Sequence, residues 1–99
     1  MELRQYKGSG GKYRLQITAE GFSMQDDDFS IVLQQGGNVM TIPKSAFIED
    51  ESHDFYFCID GEQWQPGIVN GTIKAFVPDF DFPARIRVEI QKFKLIIVE

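Results

Sequence analysis

The stretch KYRLQITA, residues 12–19, alternates apolar and polar side chains without interruption. Successive side chains of a β-strand point to opposite faces, so this pattern places one apolar and one polar face on a pleated strand. The apolar residues are Tyr13, Leu15, Ile17 and Ala19. We therefore predict a half-buried strand over residues 12–19, and no other segment of the chain carries so clear a strand signal.

The same period of two recurs at intervals of roughly ten residues, which is the spacing of short strands in an all-β domain. It is found at 29–34, 39–42, 54–60 and 68–77. Gly36-Gly37 predicts a tight hairpin, and Gly71 predicts a bulge or a site of close packing. No helical i, i+3, i+4 spacing survives over about ten residues. The sequence thus predicts an all-β fold, a single immunoglobulin-like or fibronectin-like antiparallel β-sandwich of about seven strands.

The last segment contains a change of phase. Its apolar residues are even-numbered at first (Ile86, Val88, Ile90) and odd-numbered later (Phe93, Leu95, Ile97). We predict a bulge or break near Gln91-Lys92 that resets the phase, because one continuous strand would turn the two sets to opposite faces. Ile96 and Val98 make residues 95–98 apolar on both faces. This end of the strand is therefore predicted either to lie centrally, with both faces covered, or to have its outer face covered by another copy.

The chain has 99 residues, of which 42% are hydrophobic, and this is enough for one modest core. We predict a flexible or extended lead-in over residues 1–11 and a β-sandwich domain over residues 12–99. No apolar run approaches the roughly 18 residues that span a bilayer, and the first residues lack the apolar region of a secretion signal. The expectation is a soluble protein made in the cytoplasm, with no membrane partner.

The charge distribution points away from nucleic acid as a partner. The net charge is -5, whereas nucleic-acid affinity comes mainly from Lys and Arg that neutralise phosphates. Residues 1–19 carry a net charge of +3, residues 20–81 carry -10 and residues 82–99 carry +2. Basic ends around an acidic middle favour a contact with a protein partner or between copies of the chain.

Few residues are suited to catalysis or metal binding. The single cysteine, Cys58, and the single histidine, His53, exclude an internal disulfide, a cysteine-based zinc site and a histidine-rich metal site. Acidic clusters at 26–28, 49–54 and 79–81 are similar to calcium-binding loops, but they lack the Asp-x-Asp-x-Asp-Gly frame with a distal Glu. We predict no enzymatic activity and no cofactor.

Aromatic residues in loops are better candidates for function. Phe80 and Phe82 lie beside Asp79 and Asp81 in a loop bracketed by two prolines, and Trp64 lies in another predicted connection. Rigid aromatics at the end of a sandwich serve as anchors of binding surfaces, although they also cap cores. The candidate interaction residues are Phe80, Phe82, Asp79, Asp81, Trp64, Ile96 and Val98. Trp64 with the acidic loops also suits a glycan site.

Several motifs resemble a known family. They are Phe22-Ser23-Met24, Asp28-Phe29, Ile42, Lys44-Ser45, Ile48 and the run from Ala75 to Pro83 with Arg85 and Glu89. Over residues 12–98 the chain resembles short phage tail- or baseplate-associated proteins of prophage-like elements, and it is similar to the N-terminal β-sandwich modules of baseplate upper proteins. The most specific element is Val77-Pro78-Asp79-x-Asp81-Phe82-Pro83.

This resemblance implies a structural protein made in a bacterial cytoplasm and incorporated into a phage particle, with no catalytic residues to transfer. The function predicted from the sequence is therefore a non-enzymatic structural or protein-interaction module that assembles through its last strand and its aromatic loop. The alternative is a carbohydrate-binding β-sandwich module assisted by calcium.

Overall fold

Eight strands and two short 3-10 turns make up the computed structural model, which describes all 99 residues. The strands are β1 (Glu2–Tyr6), β2 (Gly10–Leu15), β3 (Asp28–Gln35), β4 (Asn38–Pro43), β5 (Ile48–Glu49), β6 (Phe55–Asp60), β7 (Gly67–Pro78) and β8 (Ile86–Val98). The 3-10 turns are Lys44–Ala46 and Gly61–Gln63. The structure contains no helix with the length and apolarity that crossing a membrane requires.

The strands form two sheets, with the order β1-β8-β7-β3-β4 in the larger and β2-β6-β5 in the smaller. All neighbouring strands are antiparallel except β1 and β8, which are parallel. This distribution of strands between the sheets is that of a variable-type immunoglobulin sandwich, in which strands G, F, C and C′ face strands B, E and D. The predicted immunoglobulin-like β-sandwich is confirmed.

The segment predicted as a lead-in takes part in the sandwich. Residues 2–6 form β1, which pairs with residues 94–98 of β8. Gln5 of β1 is the buried polar residue of the core, and it joins the two sheets. Its Nε2 donates to the carbonyls of Ser9 and Ile59, both at 2.9 Å, and its Oε1 accepts from the Tyr13 hydroxyl at 2.7 Å. The strand predicted over 12–19 begins at Gly10 and ends at Leu15.

The core lies between the sheets and is built from the alternating residues that the sequence singled out. Its members on four strands are Phe29, Ile31 and Leu33, then Phe55, Phe57 and Ile59, then Val69, Ile73, Ala75 and Val77, and finally Phe93, Leu95 and Ile97. Gly71 lies opposite Phe93, and a Cβ on Gly71 would lie 2.2 Å from that ring. Of the two alternatives predicted for Gly71, close packing is the one found. The register of β7 shows no bulge there.

The predicted bulge in β8 is wrong. The β7–β8 register runs without interruption from Gly67↔Ile97 to Pro78↔Ile86, so the two apolar sets of β8 face opposite sides of the sheet. Phe93, Leu95 and Ile97 enter the core, whereas Ile86, Val88 and Ile90 point outward. Continuous pairing along both long strands keeps every ladder hydrogen bond, which a bulge would disrupt. The consequence is an apolar row on the surface.

Candidate interaction surface

The loop between β7 and β8 is held in place by Asp79. Its carboxylate accepts hydrogen bonds from the Arg87 guanidinium and, at 3.0 Å, from the Asp81 N–H, while its own N–H donates to the Arg85 carbonyl at 3.0 Å. Hydrogen bonds to Glu89 and to Asp79 raise the pKa of the Arg87 guanidinium. Asp79, predicted as an interaction residue, is partly buried and positions the loop.

The two phenylalanines of this loop face solvent. Phe80 is 81% exposed and Phe82 is 42% exposed. The Arg85 guanidinium lies 5.3 Å from the centre of the Phe80 ring, which is within the range of a cation–π contact. Asp81 is also exposed. The structure therefore brings Phe80, Phe82 and Asp81 together at one end of the sandwich, supported by Asp79.

The apolar row of β8 begins where this loop ends. Ile86, Val88 and Ile90 are 43%, 47% and 55% exposed. On the neighbouring strand Phe76 lies directly opposite Val88 on the same outward face. We name these residues together with the loop phenylalanines the hairpin surface; it comprises Phe76, Phe80, Phe82, Ile86, Val88 and Ile90.

Sequence reasoning missed the β8 part of the hairpin surface. The signal was present, because the phase change from even to odd residues occurs without a glycine or proline that would favour a bulge. The charged residues between the apolar ones, Arg87 and Glu89, consequently face inward. Arg87 is half-buried against the connection between β2 and β3, whose Glu20 carbonyl accepts a hydrogen bond from Arg87 at 3.0 Å, while Glu89 stays exposed.

The same part of β8 is a free edge of the larger sheet. Strand β1 pairs with residues 94–98 only, so residues 86–92 have a strand neighbour on one side and none on the other. An open groove of about 540 Å³ borders this edge and is lined in part by Met1, Gln91 and Lys92. An unpaired edge with outward apolar side chains is a template for another strand.

Trp64 does not lie on a surface, and its prediction as an anchor or a sugar platform is wrong. It is 1% exposed and belongs to the core, directly after the 3-10 turn Gly61–Gln63. The Lys7 ammonium donates to its carbonyl at 3.0 Å, and its indole Nε1 has no acceptor. The ring is enclosed because the turn sets it against the two sheets, so no face remains for a ligand.

Ile96 and Val98 lie at the other end of β8, ten or more residues from Ile86, which corresponds to about 33 Å along a strand. Both are half-buried on the outward face, and β1 closes the edge beside them. β1 and β7 flank this strand end within the sheet, but its outward face is not fully covered, so the predicted central position with both faces covered is not found. The candidate residues therefore fall into two groups at opposite ends of the sheet.

The acidic clusters do not converge. No group of three or more His, Cys, Asp or Glu side chains is arranged to hold a metal ion. Their carboxylates instead stabilise turns: Asp27 accepts from the Ser23 N–H at 2.8 Å, and Asp50 accepts from the N–H groups of Ser52 and Asp54 at 2.9 Å. Cys58 is exposed on β6, and His53 bonds Glu49 at 2.7 Å.

The turn at residues 49–54 makes the stability of the fold sensitive to acid. The hydrogen bond from His53 lowers the pKa of Glu49, and the backbone N–H of Asp54 lowers that of Asp50. A carboxyl group whose pKa is lower in the folded than in the unfolded protein stabilises the fold at pH values above its unfolded-state pKa of about 4. This stabilisation is lost as the pH falls through the folded-state pKa. We expect Asp50→Asn to reduce the loss of stability below about pH 4, measured by urea unfolding between pH 2 and 6.

Glu51→Gln is the matched control, because Glu51 lies in the same turn and its carboxylate makes no hydrogen bond. Its dependence on pH should follow that of the unsubstituted protein. Equal acid sensitivity of both variants would show that the Asp50 carboxylate does not contribute to the loss of stability at low pH.

Comparison with known proteins yields structural similarity but no family. No protein-family model matches the chain. No curated protein matches it either. Among solved structures, the chain is similar to the structure of murine CRIg, with a TM-score of 0.48 and 10% sequence identity over 99% of this chain and 92% of that one.

Proposed function

We propose that this protein is a non-enzymatic interaction module that binds a protein partner through the hairpin surface. The observation that carries the proposal is the outward row of Ile86, Val88 and Ile90, next to a loop whose Phe80 is 81% exposed. Apolar residues scattered singly on a surface are normal, whereas several together on one structural element mark an interaction site. Binding would remove this apolar area from water.

The hairpin surface is also preorganised, which favours binding. Twelve consecutive register pairs join β7 and β8, from Gly67↔Ile97 to Pro78↔Ile86. The Asp79–Arg87 ion pair then fixes the loop that carries Phe80 and Phe82. A surface that is already ordered loses little conformational entropy when it binds, so aromatic anchors on it contribute more to affinity.

The setting we propose for this module is a phage tail or baseplate, made in a bacterial cytoplasm. Support comes from the resemblance centred on Val77–Pro83, and these residues are the ones that form the hairpin loop and the end of β7. Tail and capsid genes beside the gene for this chain would support the setting. Neighbours of an unrelated metabolic pathway in several genomes would count against it.

Site-specific photo-crosslinking in the natural host tests the proposed function. A benzoylphenylalanine at position 80 should give a defined protein adduct, because this side chain would enter the interface. The matched control is position 6, where Tyr6 is an exposed aromatic on β1, at the opposite end of the same sheet. An adduct at position 80 and none at position 6 supports the proposal, while adducts at position 6 alone, or at neither position, would overturn it.

A further inference from the structure

The free edge of β8 presents backbone groups that nothing in the chain satisfies. The Lys94 N–H donates to the Met1 carbonyl at 3.1 Å, and the Val98 carbonyl accepts from the Lys7 N–H at 2.7 Å, so even-numbered residues of β8 direct their backbone toward the β1 side. Because β8 is continuous, Ile86, Val88 and Ile90 direct N–H and C=O groups to the same side. No strand lies there.

We propose that a second copy of this chain covers this edge, with the two β8 strands antiparallel about a two-fold axis at Val88. This inference rests on the proposed function and names its partner. The two larger sheets then join into one continuous sheet across the dimer, and the exposed backbone groups of Ile86, Val88 and Ile90 are paired. An isologous contact of this kind closes after two copies.

Charge complementarity selects the register. With Val88 opposite Val88, Arg87 of each copy, which already binds Glu89 and Asp79 of its own chain, lies opposite Glu89 of the other copy. The outward-facing Ile86 lies opposite Ile90. Opposite charges in directly facing positions stabilise a pair of strands, and apolar residues in such positions pack against each other. Inward-facing charges on an edge normally discourage pairing with other strands. Here Arg87 and Glu89 match only in a defined register, which gives the contact its specificity.

Other positions of the two-fold axis along β8 give less favourable contacts between the two strands. An axis at Arg87 would place Arg87 opposite Arg87, and an axis at Glu89 would place Glu89 opposite Glu89; like charges in these positions are destabilising. An axis at Ile90 would require the backbone of Lys94, which is already bonded to Met1. Registers that pair even with odd residues are excluded, because side chains that lie opposite each other must point to the same face.

Disulfide trapping tests this register, with Cys58→Ser in every variant to remove the exposed native thiol. In the proposed dimer the two Val88 Cα atoms are about 5.5 Å apart, which suits a disulfide, so Val88→Cys should form covalent dimers on mild oxidation. The matched control is Ile90→Cys, which is similarly exposed. Its two copies would be four residues apart along the strands, or about 13 Å, which is too far for a disulfide.

We expect Val88→Cys to be oxidised to dimer at least about tenfold faster than Ile90→Cys, since only the first pair is in reach. Equal rates, or a faster reaction at position 90, would overturn the register. In sedimentation equilibrium, Val88→Lys should raise the dissociation constant of the dimer at least about tenfold, because it places two like charges together. Val39→Lys, on the exposed edge strand β4, should leave it unchanged.

A chain that stays monomeric at every concentration would overturn the second copy as the partner. The proposed function would then still stand if the crosslink from position 80 carries a different protein. The absence of any crosslinked adduct together with a monomeric chain would overturn both.

Discussion

Replacement of Trp64 by alanine is expected to destabilise the fold by about 4 kcal/mol, within the range measured for large aromatic truncations in protein cores. Trp64 is 1% exposed and lies among residues of both sheets, so the truncation leaves a cavity that the surrounding strands can fill only in part. Urea unfolding followed by circular dichroism gives the free energy of unfolding, and the midpoint should fall without a large change in slope.

Phe80→Ala is the matched control, because Phe80 is an aromatic residue in a connection but 81% exposed. Its stability should stay within about 0.5 kcal/mol of the unsubstituted protein, as is usual for surface positions. The single tryptophan also permits an independent check, since a buried indole emits at shorter wavelength in the folded state than after unfolding. Comparable losses in both variants, or an emission typical of a hydrated indole, would place Trp64 on the surface.

The fate of these two aromatics shows where sequence reasoning ends. Both lie between strands in polar surroundings, so local pattern assigns them alike. The difference between them comes from the tertiary structure. Trp64 follows the 3-10 turn Gly61–Gln63 and is buried in the core, whereas Phe80 lies in the hairpin loop and points into solvent. Period-two alternation predicts which faces are apolar, but it does not say where a connection between strands will pass.

The long strands illustrate the same limit. Alternation correctly predicted β3, β6 and β7, because each keeps one phase and buries one face. In β8 the change of phase predicts a bulge or break, because one continuous strand would turn the two apolar sets to opposite faces. The continuous register shows that Ile86, Val88 and Ile90 are apolar without being in the core. The failure of that expectation is what locates the hairpin surface.

The alternation of apolar and polar residues did not predict β1, for a different reason. Only Leu3 and Tyr6 of Glu2–Tyr6 are apolar, and the buried residue is Gln5. A buried glutamine is tolerated because both ends of its amide are hydrogen-bonded, to Ser9 and Ile59 as donor and to Tyr13 as acceptor. Those partners come from two other strands, β2 and β6, and from the turn before β2. The polar residue that fixes β1 therefore gives no local sign of burial.

Gly61→Ala is expected to destabilise the fold by about 3 kcal/mol, at the upper end of what overpacking costs. A Cβ at this position would lie 2.5 Å from the Tyr6 carbonyl oxygen, 2.6 Å from that of Lys7 and 2.9 Å from that of Ser9. These are backbone atoms, so a side-chain rotation cannot relieve the clash. The segment at residues 6–9 that carries these carbonyl groups is also held by β8, because the Lys7 N–H donates to the Val98 carbonyl.

The expected response of Gly61→Ala is a loosening of β1 before global unfolding. To admit the methyl group, residues 6–9 must move away, and this strains the parallel pairing of β1 with the last residues of β8. Hydrogen exchange should therefore accelerate first at the amides of β1. Gly10→Ala is the control, since Gly10 begins β2 and pairs with Asp60, the residue directly before Gly61, but has nothing within 4 Å of its Cβ position. If both glycine variants were equally stable, the turn before β2 would not lie against Gly61.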